Sequence, residues 1–313
     1  MKRAQHIATI YIGLSLCSCG QAASVERSLE KDSQVSGLAL VAVVGQGAAV
    51  IPFDQPARYY TLKWGISIPT FAPSGRVIAW NMRAMFEEPK VVIETINGAQ
   101  LFRKALWRDL SLLSLSDKCG RIALLERSGP KYPGAFDLRW TSMDLSGNEF
   151  VDRMQGPQSH GADWSPDCRF IVYGKGDEIR LFDANQRTSV QIGRGYDPAW
   201  SPNGKTIVYR NSAGAVSFMD AKGQAQSCPL ESHRLLGAIR WSPDGTYVSF
   251  IERISPARPA LFSATTRLVA CRAREGDCQT VKEFGEIRGY YDEFQWILGY
   301  RDFCRDCPPG EAF

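Results

Sequence analysis

Few side chains of this chain are suited to catalysis. It holds three histidines, and the two beyond residue 34, His160 and His233, stand far apart in sequence. A catalytic metal needs about three protein ligands, so these two alone make no metal site, and no metal or cofactor is expected. No G-x-S-x-G elbow supplies a nucleophile. No G-x-x-x-x-G-K-[ST] loop or strand-borne G-x-G-x-x-G cradles a phosphate. Two carboxylates about 5 to 9.5 Å apart could hydrolyse a glycoside, but spacing along the chain does not place such a pair. Cysteines are more plentiful, nine in all. Cys271 and Cys278 flank the charged turn Arg272-Ala273-Arg274-Glu275-Gly276-Asp277 and are expected to join across a hairpin. Cys119 and Cys168 sit in similar turns and can pair if their Cα atoms come within about 6 Å. Cys304 and Cys307 form C-x-x-C without the βαβ context of a redox motif. They read as a local disulfide or a staple to the body, with zinc as the weaker alternative. Cys228 is left as the free thiol.

The elements that must position these residues come in repeats. An apolar strand, a turn of the type Trp-Ser-Pro-Asp-Gly and a second apolar strand recur. The copies are AIRWSPDGTYVSF from Ala238, DPAWSPNGKTIVY from Asp197 and GADWSPDCRFIVY from Gly161, where Cys168 replaces the turn glycine. Weaker copies are PTFAPSGRVIAW from Pro69 and LLSLSDKCGRIALL from Leu112. The leading positions Phe71, Leu115, Trp164, Trp200 and Trp241 are 44, 49, 36 and 41 residues apart. That period marks a propeller or a related array. Pro166, Pro202 and Pro243 cannot donate to a ladder and end their strands. Asp-Gly and Asn-Gly tolerate positive φ. The strands after the turns are continuous apolar runs, as when both faces are buried, and the Trp fills the wedge between neighbours. Third strands follow at Glu178–Phe182, Gly214–Met219 and Lys90–Thr95, and a fourth at Ser189–Ile192.

These repeats resemble the WD40-like, TolB-type propeller family, most clearly over Trp64 to Ile254. The resemblance implies an all-β fold, a single β-propeller of about six four-stranded blades, with seven as the alternative. Trp296, in YYDEFQWI, is then the wedge residue of the last blade. The early runs Leu38–Val44 and Ala48–Pro52 are expected to complete that blade and tie the chain ends together. The TolB family carries an α/β domain before its propeller. The stretch from Cys19 to Pro69 is short and largely assigned to tether and strands, so no such domain is expected there and the resemblance does not by itself imply the Tol-specific role.

The N-terminus sets the compartment. Lys2 and Arg3 precede a short apolar stretch, Ile7 to Leu16, too short to span a hydrocarbon core of about 30 Å. This is the pattern of a secretory signal. Leu16-Cys17-Ser18-Cys19-Gly20 resembles the bacterial lipobox, with Cys19 as the lipidated residue and residue 20 not the inner-membrane retention Asp. The expected organisation is a lipoprotein signal at 1–18, a flexible polar tether at 19–34, a propeller at 35–303 and a tail at 304–313. The expected place is the periplasmic face of the outer membrane, with the periplasm as alternative. Exported cysteines pair readily. Formal net charge is only +4 and no basic run appears, so no nucleic acid is expected as a partner.

If there is a site, it lies where the innermost strands begin, at one mouth of the central channel. His160, Asp163, Tyr196, Asp197, Arg240 and Tyr291 converge there and are expected to bind a ligand or partner. For an Asp before the Trp strand the competing reading is that it holds a turn or a neighbouring backbone N–H. The function expected is a non-catalytic envelope scaffold. It would be anchored in the membrane by lipid and would bind a protein or a cell-wall component. The alternative is an envelope polysaccharide or peptide hydrolase or lyase at the same mouth.

Overall fold

The computed structural model describes residues 38–44, 47–53, 60–63, 69–74, 77–82, 90–95, 100–105, 110–128, 134–155, 161–227, 230, 235–253, 263–288 and 294–298. Every regular element among them is a strand, and the strands form antiparallel four-stranded sheets. Five sheets are blades of four consecutive strands: blade 1 (69–105), blade 2 (110–155), blade 3 (162–194), blade 4 (196–226) and blade 5 (235–288). A further sheet is composite. Phe294–Leu298 pairs with Leu38–Val44, which pairs with Gly47–Pro52 and then Tyr60–Lys63. The expected row of about six like units is therefore five contiguous blades and one closing sheet made from both ends of the described chain. No seventh sheet is found among the described residues.

The innermost strands contact one another in chain order, and Phe294–Leu298 touches both Leu235–Trp241 and Pro69–Phe71. The ring is thus closed. Register shows why the repeat positions recur. Trp164 faces Ile171, Trp200 faces Ile207, Trp241 faces Val248 and Trp296 faces Leu40. Those four partners are all 0% exposed.

The core lies between blades. Trp164 packs with Leu138, Ile171 and Tyr173 between blades 2 and 3. Trp200 packs with Val172, Leu181 and Met219 between blades 3 and 4. Trp241 stacks on Phe218, with ring centroids 5.8 Å apart, against the cluster between blades 4 and 5. Where the repeat carries Leu115 instead, that residue fills the gap between blades 1 and 2.

In blades 3, 4 and 5 the turn is held by its serine. Ser165, Ser201 and Ser242 are buried. In blade 4 the Ser201 carbonyl accepts from the Gly204 N–H at 2.9 Å, and Ser201 Oγ accepts from the Thr206 N–H at 3.0 Å. Blades 3 and 5 repeat both bonds with Ser165 and Ser242. Asp167, Asn203 and Asp244 each accept a backbone N–H two residues on, as in an Asx turn.

Successive turns touch at one end of the ring. Ser74 Oγ donates to Asp117 between blades 1 and 2. A disulfide joins Cys119 to Cys168 between blades 2 and 3, with Cα atoms 5.4 Å apart. Pro166 lies beside Gly204, and Pro202 beside Gly245. The hairpin disulfide Cys271–Cys278 is also formed. Cys304, Cys307 and Cys228 lie outside the described residues, as do the proposed signal and tether.

Candidate functional site

Since the turns share one end of the channel, the starts of the innermost strands share the other. Blade 4 supplies the best-defined rim there. Tyr196–Trp200 leaves regular pairing between Tyr196 and Ala199, and Asp197 takes a left-handed conformation, φ 54°. Few non-glycine residues do so, and the strain points to a position the surroundings over-determine. Arg210 holds it, with Nη2 2.9 Å from the Asp197 carboxylate and the guanidinium 5.1 Å from the Tyr196 ring centroid.

Gly195 makes room. A Cβ there would stand 2.4 Å from the Arg210 carbonyl oxygen. Comparable register shifts lie ahead of the wedge position in blade 2, between Leu112 and Ser114, and in blade 5, between Leu236 and Ile239. Bulges of this kind re-aim side chains at sheet ends.

Asp163 lies deeper, one residue before Trp164, and is occupied between blades. Its Oδ1 accepts from Ser114 Oγ of blade 2 at 3.1 Å, and its Oδ2 accepts from the Trp200 N–H of blade 4 at 2.9 Å. Burial raises its carboxyl above the usual carboxylate range. The Trp200 amide and the charge of Arg240, from blade 5, pull the other way. One carboxylate thus ties blades 2, 3 and 4 near the axis. Arg240 itself donates from Nη1 to the Ile239 carbonyl at 2.9 Å.

A second polar cluster crosses the gap between blades 2 and 3, farther from the axis. Asp152 accepts from Lys175 Nζ at 2.7 Å and from the Tyr173 hydroxyl at 2.8 Å. Ser189 Oγ lies 2.6 Å from that hydroxyl. Burial alone would raise Asp152, but Lys175 and Tyr173 outweigh it and the carboxyl sits below its ordinary value. Burial also pushes the Tyr173 hydroxyl well up. This cluster was not foreseen, because Asp152 and Tyr173 sit in separate repeats at unrelated motif positions.

Of the residues expected at the mouth, Tyr196 and Asp197 lie together on the rim, and Asp163 and Arg240 lie on the innermost strands of blades 3 and 5. His160 and Tyr291 lie outside the described residues, as does Cys19. Arg210, which completes the rim, follows the repeat motif and was missed. Among the described residues no three His, Cys, Asp or Glu side chains are grouped to hold a metal ion.

No family profile and no curated protein matches the sequence. Solved structures do match the fold. TolB from Acinetobacter baumannii superposes with TM-score 0.58 at 15% identity, over 84% of this chain and 67% of that one. A TolB-type structure from Agrobacterium tumefaciens gives TM-score 0.53 at 14% identity, over 83% and 96%. A chain of the nidogen/laminin complex gives 0.56 at 10%, over 84% and 98%. The chain therefore folds as a TolB-type β-propeller with four-stranded blades.

Proposed function

We propose that this protein is a non-catalytic lipoprotein of the bacterial envelope that binds a protein or cell-wall component through the channel mouth. Cys19 carries the lipid, and the outer membrane holds the protein on its periplasmic face. The observation that carries this reading is how the polar groups near the axis are used. Asp163 is bonded to two neighbouring blades, and Asp197 is paired with Arg210. Acids committed in this way make a shaped, pre-organised rim rather than a free acid or base. Propellers of this fold include TolB and a chain crystallised in a nidogen/laminin complex, which supports a protein as the partner class. The contact set proposed is His160, Tyr196, Asp197, Arg240 and Tyr291, with Asp163 joining blades 2, 3 and 4.

The test uses the full chain with a C-terminal tag, recovered from detergent-solubilised envelopes. Lipid labelling should be lost in Cys19→Ala. A stoichiometric envelope partner should be recovered by the parent protein and lost with Tyr196→Ala. Recovery unchanged by that substitution would exclude the mouth. A preparation without any partner, but with turnover of a glycan or peptide, would favour the hydrolase or lyase reading.

A further inference from the structure

Cys168 is the one residue of the repeat turns that combines a side chain, a strained backbone and a covalent bond. Its φ is 65°, matching Gly204 at 70° and Gly245 at 73° in the same position of the next two turns. Those glycines adopt that conformation at no steric cost, whereas a residue with a Cβ does not. The Cys119–Cys168 disulfide holds the strained turn against its neighbour in blade 2. The Cys168 carbonyl, fixed in that way, accepts from Arg121 Nη1 at 2.8 Å. Arg121 in turn lies over two indoles, 4.6 Å from the Trp140 centroid and 5.1 Å from that of Trp164. The two rings meet edge to face at 5.6 Å. The seams of the next two turns, Pro166 on Gly204 and Pro202 on Gly245, are non-covalent and unstrained by a Cβ.

We infer that the Cys119–Cys168 bond is a thiol-sensitive latch whose reduction opens the turn end of the channel between blades 2 and 3. The reductant is a dithiol. Its thiolate attacks one sulfur of the bond, and a mixed disulfide forms. Its second thiolate then displaces the protein sulfur, leaving a cyclic disulfide and two protonated cysteines. With the bond gone, nothing covalent opposes relaxation of Cys168 from the left-handed region. That relaxation moves its carbonyl off Arg121 and uncovers the edge of the Trp140–Trp164 pair. The closing sheet keeps the ring intact meanwhile, since its pairing of 294–298 with 38–44 lies elsewhere. This latch is at the end opposite the proposed binding rim, so it stands or falls apart from that reading.

Amide hydrogen exchange of the full chain tests it. The amides of Cys168 and Phe170, bonded to the Ser165 carbonyl and hydroxyl, are the reporters. The strand Ile207–Arg210 is the internal control. A dithiol on the parent protein, and Cys119→Ser without it, should each speed reporter exchange about tenfold, the scale of a left-handed penalty of roughly 1–2 kcal/mol. Both should also red-shift tryptophan emission. Cys119→Ser/Cys168→Gly should return the reporters close to the oxidised rate, because glycine removes the strain. Unchanged exchange in the reduced parent overturns the latch. So does equal acceleration in the single and double variants, which would reduce the bond to a simple cross-link.

Discussion

Asp163 shows how one side chain can look like a ligand residue and act as a fastener. Removing its carboxylate leaves the Trp200 N–H without the partner it has now. Asp163→Ala should therefore destabilise the protein by about 1–3 kcal/mol, and Asp163→Asn, which keeps an acceptor, by less. The pH dependence is distinctive. Burial raises this carboxyl above its ordinary 3.8. A proton bound more tightly in the folded than in the unfolded chain adds stability that is complete below the unfolded value. That stability fades as pH rises through the folded value. The Asp163→Ala deficit should thus be larger near about pH 4 than in neutral solution. Asp152 runs oppositely. Its carboxyl is held below its ordinary value with the help of Lys175 and Tyr173, so its contribution is present above 3.8 and lost as pH falls through the folded value. Asp152→Asn should cost about 1 kcal/mol at neutral pH, a modest figure because Lys175 is partly exposed, and the deficit should vanish in acid. Urea unfolding across pH separates the two, and parallel profiles would contradict both assignments.

At the scale of the turn and strand, the motif displayed its punctuation and concealed its mechanism. Trp, Pro and Gly were legible because each has a steric consequence readable from its type. The serine between Trp and Pro was not, since a serine side chain bonded to a backbone N–H five residues on leaves no periodic signature. Ser201→Ala should cost about 1 kcal/mol in urea unfolding, the expense of a partly buried N–H left without its acceptor. Blade 1 already carries Ala72 at this position, and its N–H still donates to the Val77 carbonyl. The rim was half legible. Tyr196 and Asp197 were placed by counting back from Trp200, but the register shift that turns Asp197 onto Arg210 depends on backbone pairing that sequence alone does not reveal. Gly195 is the sharper probe of that rim. Its φ is 148°, and an added Cβ would meet backbone rather than a flexible tip. Gly195→Ala should cost more than Gly204→Ala, by about 1–2 kcal/mol. At Gly204 an added methyl finds Pro166 at an ordinary 3.6 Å. Equal costs would mean that the rim backbone yields freely.

The whole molecule depends on a seam that joins residues far apart in sequence. Five blades could each form locally from neighbouring strands, but the closing sheet takes one strand from beyond residue 293 and three from before residue 64. An unclosed row would leave the outer face of blade 1 or blade 5 uncovered, as at the end of a repeat array without its cap. Sequence made this closure legible, because Leu38–Val44 and Ala48–Pro52 are strand-like runs with no blade of their own, and the Trp296-bearing strand after the last repeat has too few companions. Leu40 lies at the centre of the seam, 0% exposed and paired with both Trp296 and Ile51. Leu40→Ala should cost about 2–5 kcal/mol by opening a cavity there. If the ring is one cooperative unit, the loss appears as a shift of a single unfolding transition, with amides of blade 3 destabilised as much as those of the seam. If the blades behave as a loosely coupled array, the seam frays alone and blade 3 keeps its protection. Native-state hydrogen exchange on Leu40→Ala distinguishes these outcomes. Asp163 and its bonds across blades 2, 3 and 4 favour the first, because a carboxylate shared by three blades transmits loss at one interface to the next.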